Sequence, residues 1–229
     1  MSRSRGDMER RYLERVAMGR KGIGLGVARR ALITAVALMV GLLSGCGAAR
    51  PSKYYQLTVR ADAGALEKPD AVPVTLLLGA LMTSHLYRED RIVYGNGPEQ
   101  LGTYEYQRWA EPPTEMIQEV LLRELRASGR YRAVYYRRSN MLGDFALRGR
   151  LYDFKELTGG QMSARVTLEL EMRDLKSGAT VWTHYYTHDE PTSGKDVPAV
   201  VAALDKNVQR SVKEVVESLD QYFASHPVK

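Results

Sequence analysis

Between residues 163 and 174 the chain reads "SARVTLELEMRD". Ala164, Val166, Leu168, Leu170 and Met172 alternate with Arg165, Thr167, Glu169, Glu171 and Arg173. An apolar side and a charged side at period two describe a strand with one face on a core and one face in water. Similar stretches flank it, "DFALRGRLYDFKEL" before Gly159-Gly160 and "ATVWTHYYTHDE" after Lys176-Ser177-Gly178. Two glycine turns between three strands predict a meander. Upstream, "VPVTLLLGA" (Val72 to Ala80) is mostly apolar and predicts a central strand, and "KYYQLTV" (Lys53 to Val59) predicts a first strand ahead of the polar loop "RADAGALEKPD". "RIVYGNGPEQLGTYEYQRW" predicts two short strands around Gly95-Asn96-Gly97-Pro98, and "YRAVYY" one more. "LMTSHLYRED" fits neither period and reads as a short helical turn.

Two segments change to period 3.6. Pro112 and Pro113 open a helix near Thr114, with Met116, Ile117, Val120, Leu121 and Leu125 on one stripe and Ser128-Gly129 at its end. Asp196 and Pro198 start a second helix that runs to about Phe223, striped by Val200, Val201, Leu204, Val208, Val212, Val215, Val216, Leu219 and Phe223. The sum predicts an α+β fold: a single domain with an antiparallel sheet and two amphipathic helices packed on one face.

The first 45 residues follow a different logic. Arg20, Lys21, Arg29 and Arg30 precede the uncharged run "ALITAVALMVGLL" (Ala31 to Leu43), then Ser44, Gly45 and Cys46. Basic, apolar, then small is the layout of a secretory signal, and the apolar run is shorter than the roughly 20 residues a permanent span needs. "Leu-Ser-Gly-Cys" resembles the bacterial lipobox, in which cleavage between Gly45 and Cys46 follows attachment of a diacylglyceryl group to the thiol. Cys46 is the only cysteine, so no disulfide competes for it. This predicts a signal peptide over 1–45, a lipidated tether over 46–52 and a domain over 53–224. Residues 1–17 are longer and more charged than such a leader needs, so Met8 or Met18 are alternative starts. "GIGLG" (Gly22 to Gly26) follows no strand and does not read as a dinucleotide loop.

Removing residues 1–45 also removes nine of the 33 basic and three of the 27 acidic residues, leaving 24 of each. The net charge of +6 therefore belongs to the leader, and carries no case for nucleic-acid binding.

Catalytic patterns are missing. His184 and His188 lie on a predicted strand, where four residues separate side chains by about 13 Å, so they read as exposed strand residues and not as metal ligands. There is no Gly-x-Ser-x-Gly and no phosphate loop, and Glu169 and Glu171 sit on the wet strand face. The aromatic balance is more telling: 14 tyrosines against three phenylalanines. Tyrosine rings give contact area with a polar tip, and strands also favour them. Tyr54 and Tyr55, near the anchor, and Tyr104 and Tyr106 in "YEYQRW" are the candidate partner-contact residues. Trp109, just before the two prolines, is expected under the first helix.

The lipobox cysteine, the nearby "KYYQL", the "YEYQRWAEPPTEMIQEVLLRELRASGRY" stretch with its Trp-Ala-Glu-Pro signature, and the closing strands and long helix together resemble the ABC-type transport auxiliary lipoproteins, the PqiC/YmbA-like group of MCE systems. The resemblance implies a periplasm-facing outer-membrane lipoprotein that docks an MCE-domain protein and its ABC transporter, as part of lipid transfer between membranes, with a possible homo-oligomeric ring. Gly47 in place of an aspartate agrees with the outer membrane. No catalytic set and no cofactor comes with the resemblance, only the diacylglyceryl and N-acyl groups on Cys46. The alternative is a structural envelope-assembly adaptor. One stretch departs from the pattern: "LMTSHLYRED" stands where a "PSYLDRP"-like run follows the second strand.

Overall fold

The structure, a computed structural model, describes residues 29–30, 32–34, 50–60, 71–97, 99–137 and 140–228. Cys46, its cleavage site, Met8, Met18 and the loop 61–70 lie outside the described residues. The chain divides into two compact units at Arg50 and Pro51. In the first, residues 29–30 and 32–34 are helical, and the Thr34 hydroxyl donates to the Arg30 carbonyl at 2.6 Å.

The second unit runs β1 (Lys53–Tyr55), β2 (Val72–Thr83), a 3-10 turn (His85–Arg88), β3 (Arg91–Tyr94), β4 (Gly102–Trp109), α1 (Pro113–Ala127), β5 (Tyr131–Tyr136), β6 (Phe145–Leu157), β7 (Ser163–Asp174), β8 (Thr180–Pro191) and α2 (Val197–Ser225). All eight strands belong to one open sheet. The α+β class and single domain hold.

β6 is the hub. Along one edge it pairs over its whole length with β7. Along the other it serves two partners in turn: β2 from Phe145 to Leu151, then β3 at Lys155 and Glu156. A bulge between Leu151 and Asp153 marks the change, since an extra residue re-aims a strand.

The pairing directions amend the expectation of an antiparallel sheet. The predicted meander β6–β7–β8 is antiparallel, as is the β3–β4 hairpin. β1 with β4, β2 with β5 and with β6, and β3 with β6 are parallel. The antiparallel pairs are joined by connections of five to seven residues, whereas the parallel pairs are separated by much longer stretches of chain. Alternation in sequence reveals a strand's two faces but not its partner's direction.

The first strand is also shorter than expected. After Tyr55 the chain leaves β4: the Thr58 amide and hydroxyl donate to the Asp205 carboxylate at 2.9 and 2.7 Å, and the Gln209 side-chain amide donates to the Thr58 carbonyl at 2.8 Å. Helix side chains thus satisfy the backbone that a ladder would otherwise hold, and Leu57 is buried beside them.

α1 packs on β2 and β5, α2 on β7 and β8, and the helices touch each other, so both cover one face. Gly129 takes φ 62° at the end of α1, the left-handed cap glycine supplies without strain. The Asp196 carboxylate caps α2 by accepting the Ala199 amide at 3.0 Å. Trp109 is buried against Phe154, ring centres 5.1 Å apart.

Four carboxylates are held below their ordinary range: Glu190 by Lys206, Asp189 by Arg165, Glu119 by the Tyr136 phenol, and Asp174 by the amides of Ser177 and Lys176. A depressed folded-state value adds stability that is present above the unfolded value and lost as pH falls through the folded one. Tm is therefore expected to be flat from neutrality to about pH 5 and to fall below about pH 4. A scanning calorimetry series in which Tm holds or rises on acidification would contradict this.

Candidate contact surface

The parallel ladder of β1 on β4 sets Lys53 beside Gln107, Tyr54 beside Arg108 and Tyr55 beside Trp109. Four tyrosines separated by up to 52 residues in sequence are thereby brought to one edge of the sheet. They do not play one part. The Tyr55 hydroxyl donates to Gln107 Oε1 at 2.7 Å. Tyr104 donates to the buried Glu156 at 2.7 Å and packs on Tyr94, ring centres 5.0 Å apart. Burial first, and the Glu156 carboxylate second, hold the Tyr104 phenol protonated well above its ordinary range. Tyr54 and Tyr106 instead turn outward, 64% and 36% exposed. The corner has two fastened rings and two offered ones.

A second aromatic group lies on the wet face of the meander. Tyr152 and Tyr185 stand 6.5 Å apart, the Arg150 guanidinium sits 5.5 Å from the Tyr152 ring centre, and the Tyr152 hydroxyl donates to Glu169 at 2.6 Å. "HYY" marks Tyr185 in the sequence, and Tyr152 continues the exposed alternation of Arg148 and Arg150 up to the β6 bulge. Around them Arg148 pairs with Glu171, and Arg165 forks onto Asp189 with two bonds of 2.6 Å. This face satisfies its own charges.

The histidines need correcting. His184 and His188 are half-buried on the helix side of β8, not exposed. His184 stacks on Trp182 with rings 4° from parallel, and His188 Nε2 lies 2.7 Å from Arg210 Nη1. Beside it the buried Glu190 carboxylate pairs with Lys206 and, at 3.1 Å, with Arg210. Among the described residues no group of three or more His, Cys, Asp or Glu is arranged to hold a metal. A cleft of about 630 Å³ between residues 56–59 and the start of α1 holds Glu111, Met116 and Glu119, with no nucleophile beside a base.

In the departing stretch, Leu81 to Thr83 extend β2 and His85 to Arg88 form the 3-10 turn. Tyr87 is buried there, its phenol pushed up to about 12 chiefly by that burial.

A family model described as "ABC-type transport auxiliary lipoprotein component" matches residues 55–216. Among solved structures, the fold is similar to protein XCC0632 from Xanthomonas campestris, at 22% identity and a TM-score of 0.66, covering 76% of this chain and 99% of that one. It is also similar to a structure described as an uncharacterized protein, at 14% identity and a TM-score of 0.58, covering 74% and 99%. These likenesses concern the fold. No curated protein matches the chain. No described helix is long and apolar enough to cross a membrane.

Proposed function

The chain belongs to the family of ABC-type transport auxiliary lipoprotein components, and from that membership we propose a specific role within it. It is a non-catalytic, periplasm-facing subunit of an MCE/ABC-type lipid transport system, anchored in the outer membrane through acylated Cys46. Its task is to hold the transport assembly at that membrane. The observation that carries the reading is the family match along 55–216, which begins nine residues after the lipobox cysteine. The contact residues of the domain are placed at the tyrosine corner, Tyr54 and Tyr106 foremost, with Tyr55 and Tyr104 fastening it.

Intact-mass spectrometry of the membrane-extracted protein, with a partner pull-down from the same extract, tests this. A chain that begins at Cys46 with diacylglyceryl and N-acyl groups, and that brings down an MCE-domain protein, is expected. Acylated Cys46 without such a partner would leave an envelope-assembly adaptor in its place. Cys46→Ser is expected to accumulate as an uncleaved, unacylated precursor, because cleavage between Gly45 and Cys46 follows attachment of the diacylglyceryl group to the thiol. An intact mass showing that variant cleaved at the same bond would refute the anchor.

A further inference from the structure

The tyrosine corner is the folded part nearest the lipobox cysteine. Lys53, the first residue of β1, comes only seven positions after Cys46. However they are arranged, seven residues span at most about 25 Å. This inference rests on the proposed acylation of Cys46: we propose that the β1–β4 corner lies on the bilayer itself, with the Tyr54 and Tyr106 rings in the headgroup layer of an anionic phospholipid surface. The domain then stands in one orientation instead of swinging on its tether.

Three observations favour a lipid surface as the occupant. Tyr54 and Tyr106 present exposed rings at one edge, and tyrosine is at home where one end of a side chain meets hydrocarbon and the other meets water. The stretch from Cys46 to Lys53 carries Arg50 and Lys53 and no acid, and both cations are exposed. Basic residues beside an anchor are drawn to an anionic leaflet. Glu105, hydrogen-bonded to the Tyr106 hydroxyl, and Glu111, just past β4, are exposed opposing charges at this edge. By contrast, the Tyr152–Tyr185 face neutralises its charges internally, and β8 lies five strands from β1 through β4, β3, β6 and β7. At the usual strand spacing that is about 24 Å.

The contact need not be strong. A short tether holds the corner at a high effective concentration beside the surface, so interactions too weak to bind a free protein suffice to orient a tethered one. Orientation has a structural meaning here. β1 and β4 run parallel, with Lys53 beside Gln107, five residues along β4 from the Gly102 end that carries the β3–β4 connection. Because β3 and β6 are parallel, the β7–β8 turn and the last turn of α2 fall at the end of the sheet opposite the β3–β4 connection, and a fixed corner fixes where that end points.

The sole native thiol makes a direct test possible. With Cys46 acylated, a cysteine introduced elsewhere is the only labelling site. Tyr54→Cys, Tyr106→Cys and, as a control as exposed as Tyr54, Tyr185→Cys are each labelled with bimane in the full-length acylated protein. The proteins are reconstituted in phosphatidylethanolamine–phosphatidylglycerol vesicles that contain a headgroup-region nitroxide lipid. Quenching several-fold stronger at 54 and 106 than at 185 is expected. Equal quenching at the three positions, with acylated Cys46 verified by mass in the same sample, overturns the inference and leaves the proposed function standing. A Cys46 found without acyl groups overturns both. Labels at 54 and 106 that stay unquenched until an MCE-domain protein is added, and are then shielded, would make the corner a protein contact and overturn the lipid assignment.

Discussion

Asn207→Leu is expected to lower stability by about 4 kcal/mol, read as a drop in the urea midpoint at unchanged slope. Asn207 is fully buried on the face of α2 that meets the sheet. Its side-chain amide donates to the carbonyls of Ala164 on β7 and His188 on β8, at 2.9 and 2.8 Å. Its oxygen accepts the hydroxyl of the buried Tyr186. One side chain thus fastens the helix to two strands at three points. Leucine has a similar volume but no polar side-chain atom, so two carbonyls lose this donor and the Tyr186 hydroxyl keeps only its 3.3 Å bond to the main-chain carbonyl of residue 207, in a place water does not reach. A buried group left unpaired costs about 1–3 kcal/mol. Tyr186→Phe removes only one donor, and its expected cost is about 1 kcal/mol. Burial already pushes the Tyr186 phenol up to about 12, so this clamp does not titrate in the physiological range. A midpoint for Asn207→Leu that matches the parent would show that apolar packing alone docks α2.

Gly149→Ala is expected to cost about 3 kcal/mol, and to loosen the β6–β7 pairing specifically. Gly149 faces Leu170 in the ladder. A methyl group there would run into the Glu169 carbonyl oxygen and stand 2.5 Å from Leu170 Cδ2. The obstacle is backbone of a central strand, which cannot rotate away as the end of a flexible side chain can. Gly79 is the comparison within the same sheet. Its added methyl would meet Arg148 Cβ and the Leu147 carbonyl at 3.5 Å, ordinary van der Waals contact. Gly79→Ala is therefore expected to change stability by no more than about 0.5 kcal/mol. Hydrogen exchange of the β6 and β7 amides distinguishes the two: faster in Gly149→Ala, unchanged in Gly79→Ala. Equal melting of both variants would rule out a close-approach role for Gly149.

Most elements of this fold are written in the chain as periodicity, because burial on one face forces a pattern that needs no partner to be seen. The alternation from Ala164 to Met172, and the stripes that include Val120 and Val212, show the meander and both helices directly. What period does not carry is the identity and direction of neighbours. Nothing in "VPVTLLLGA" says that β5 and β6 flank it in parallel, since pairing is set by topology across some 70 residues. The end of β1 at Tyr55 was equally hidden: "KYYQLTV" is good strand sequence throughout, and only Asp205 and Gln209, far along the chain, draw Thr58 away. At the candidate surface, the sequence marked four tyrosines as contact residues, but that the β1–β4 ladder gathers them at one edge is not carried by periodicity. It could not separate those whose hydroxyls are spent on Gln107 and Glu156 from the two that face outward. The histidines failed for a related reason. Facing the helices or facing water is one residue of register on an edge strand, and Trp182 and Tyr186 set that register for His184 and His188.

The way residues 53–60 are fastened has a mechanical consequence. A domain hung from its amino-terminal side receives any pull at Lys53, and the first strand to meet the load is only three residues long. Three ladder positions at a sheet edge are a weak grip, and they would peel early. The double bond from Thr58 to Asp205, backed by Gln209, sits immediately behind and transfers the load to α2, the longest helix described. It works as a strain relief does on a cable: the end can be tugged loose while the sheet behind it stays closed.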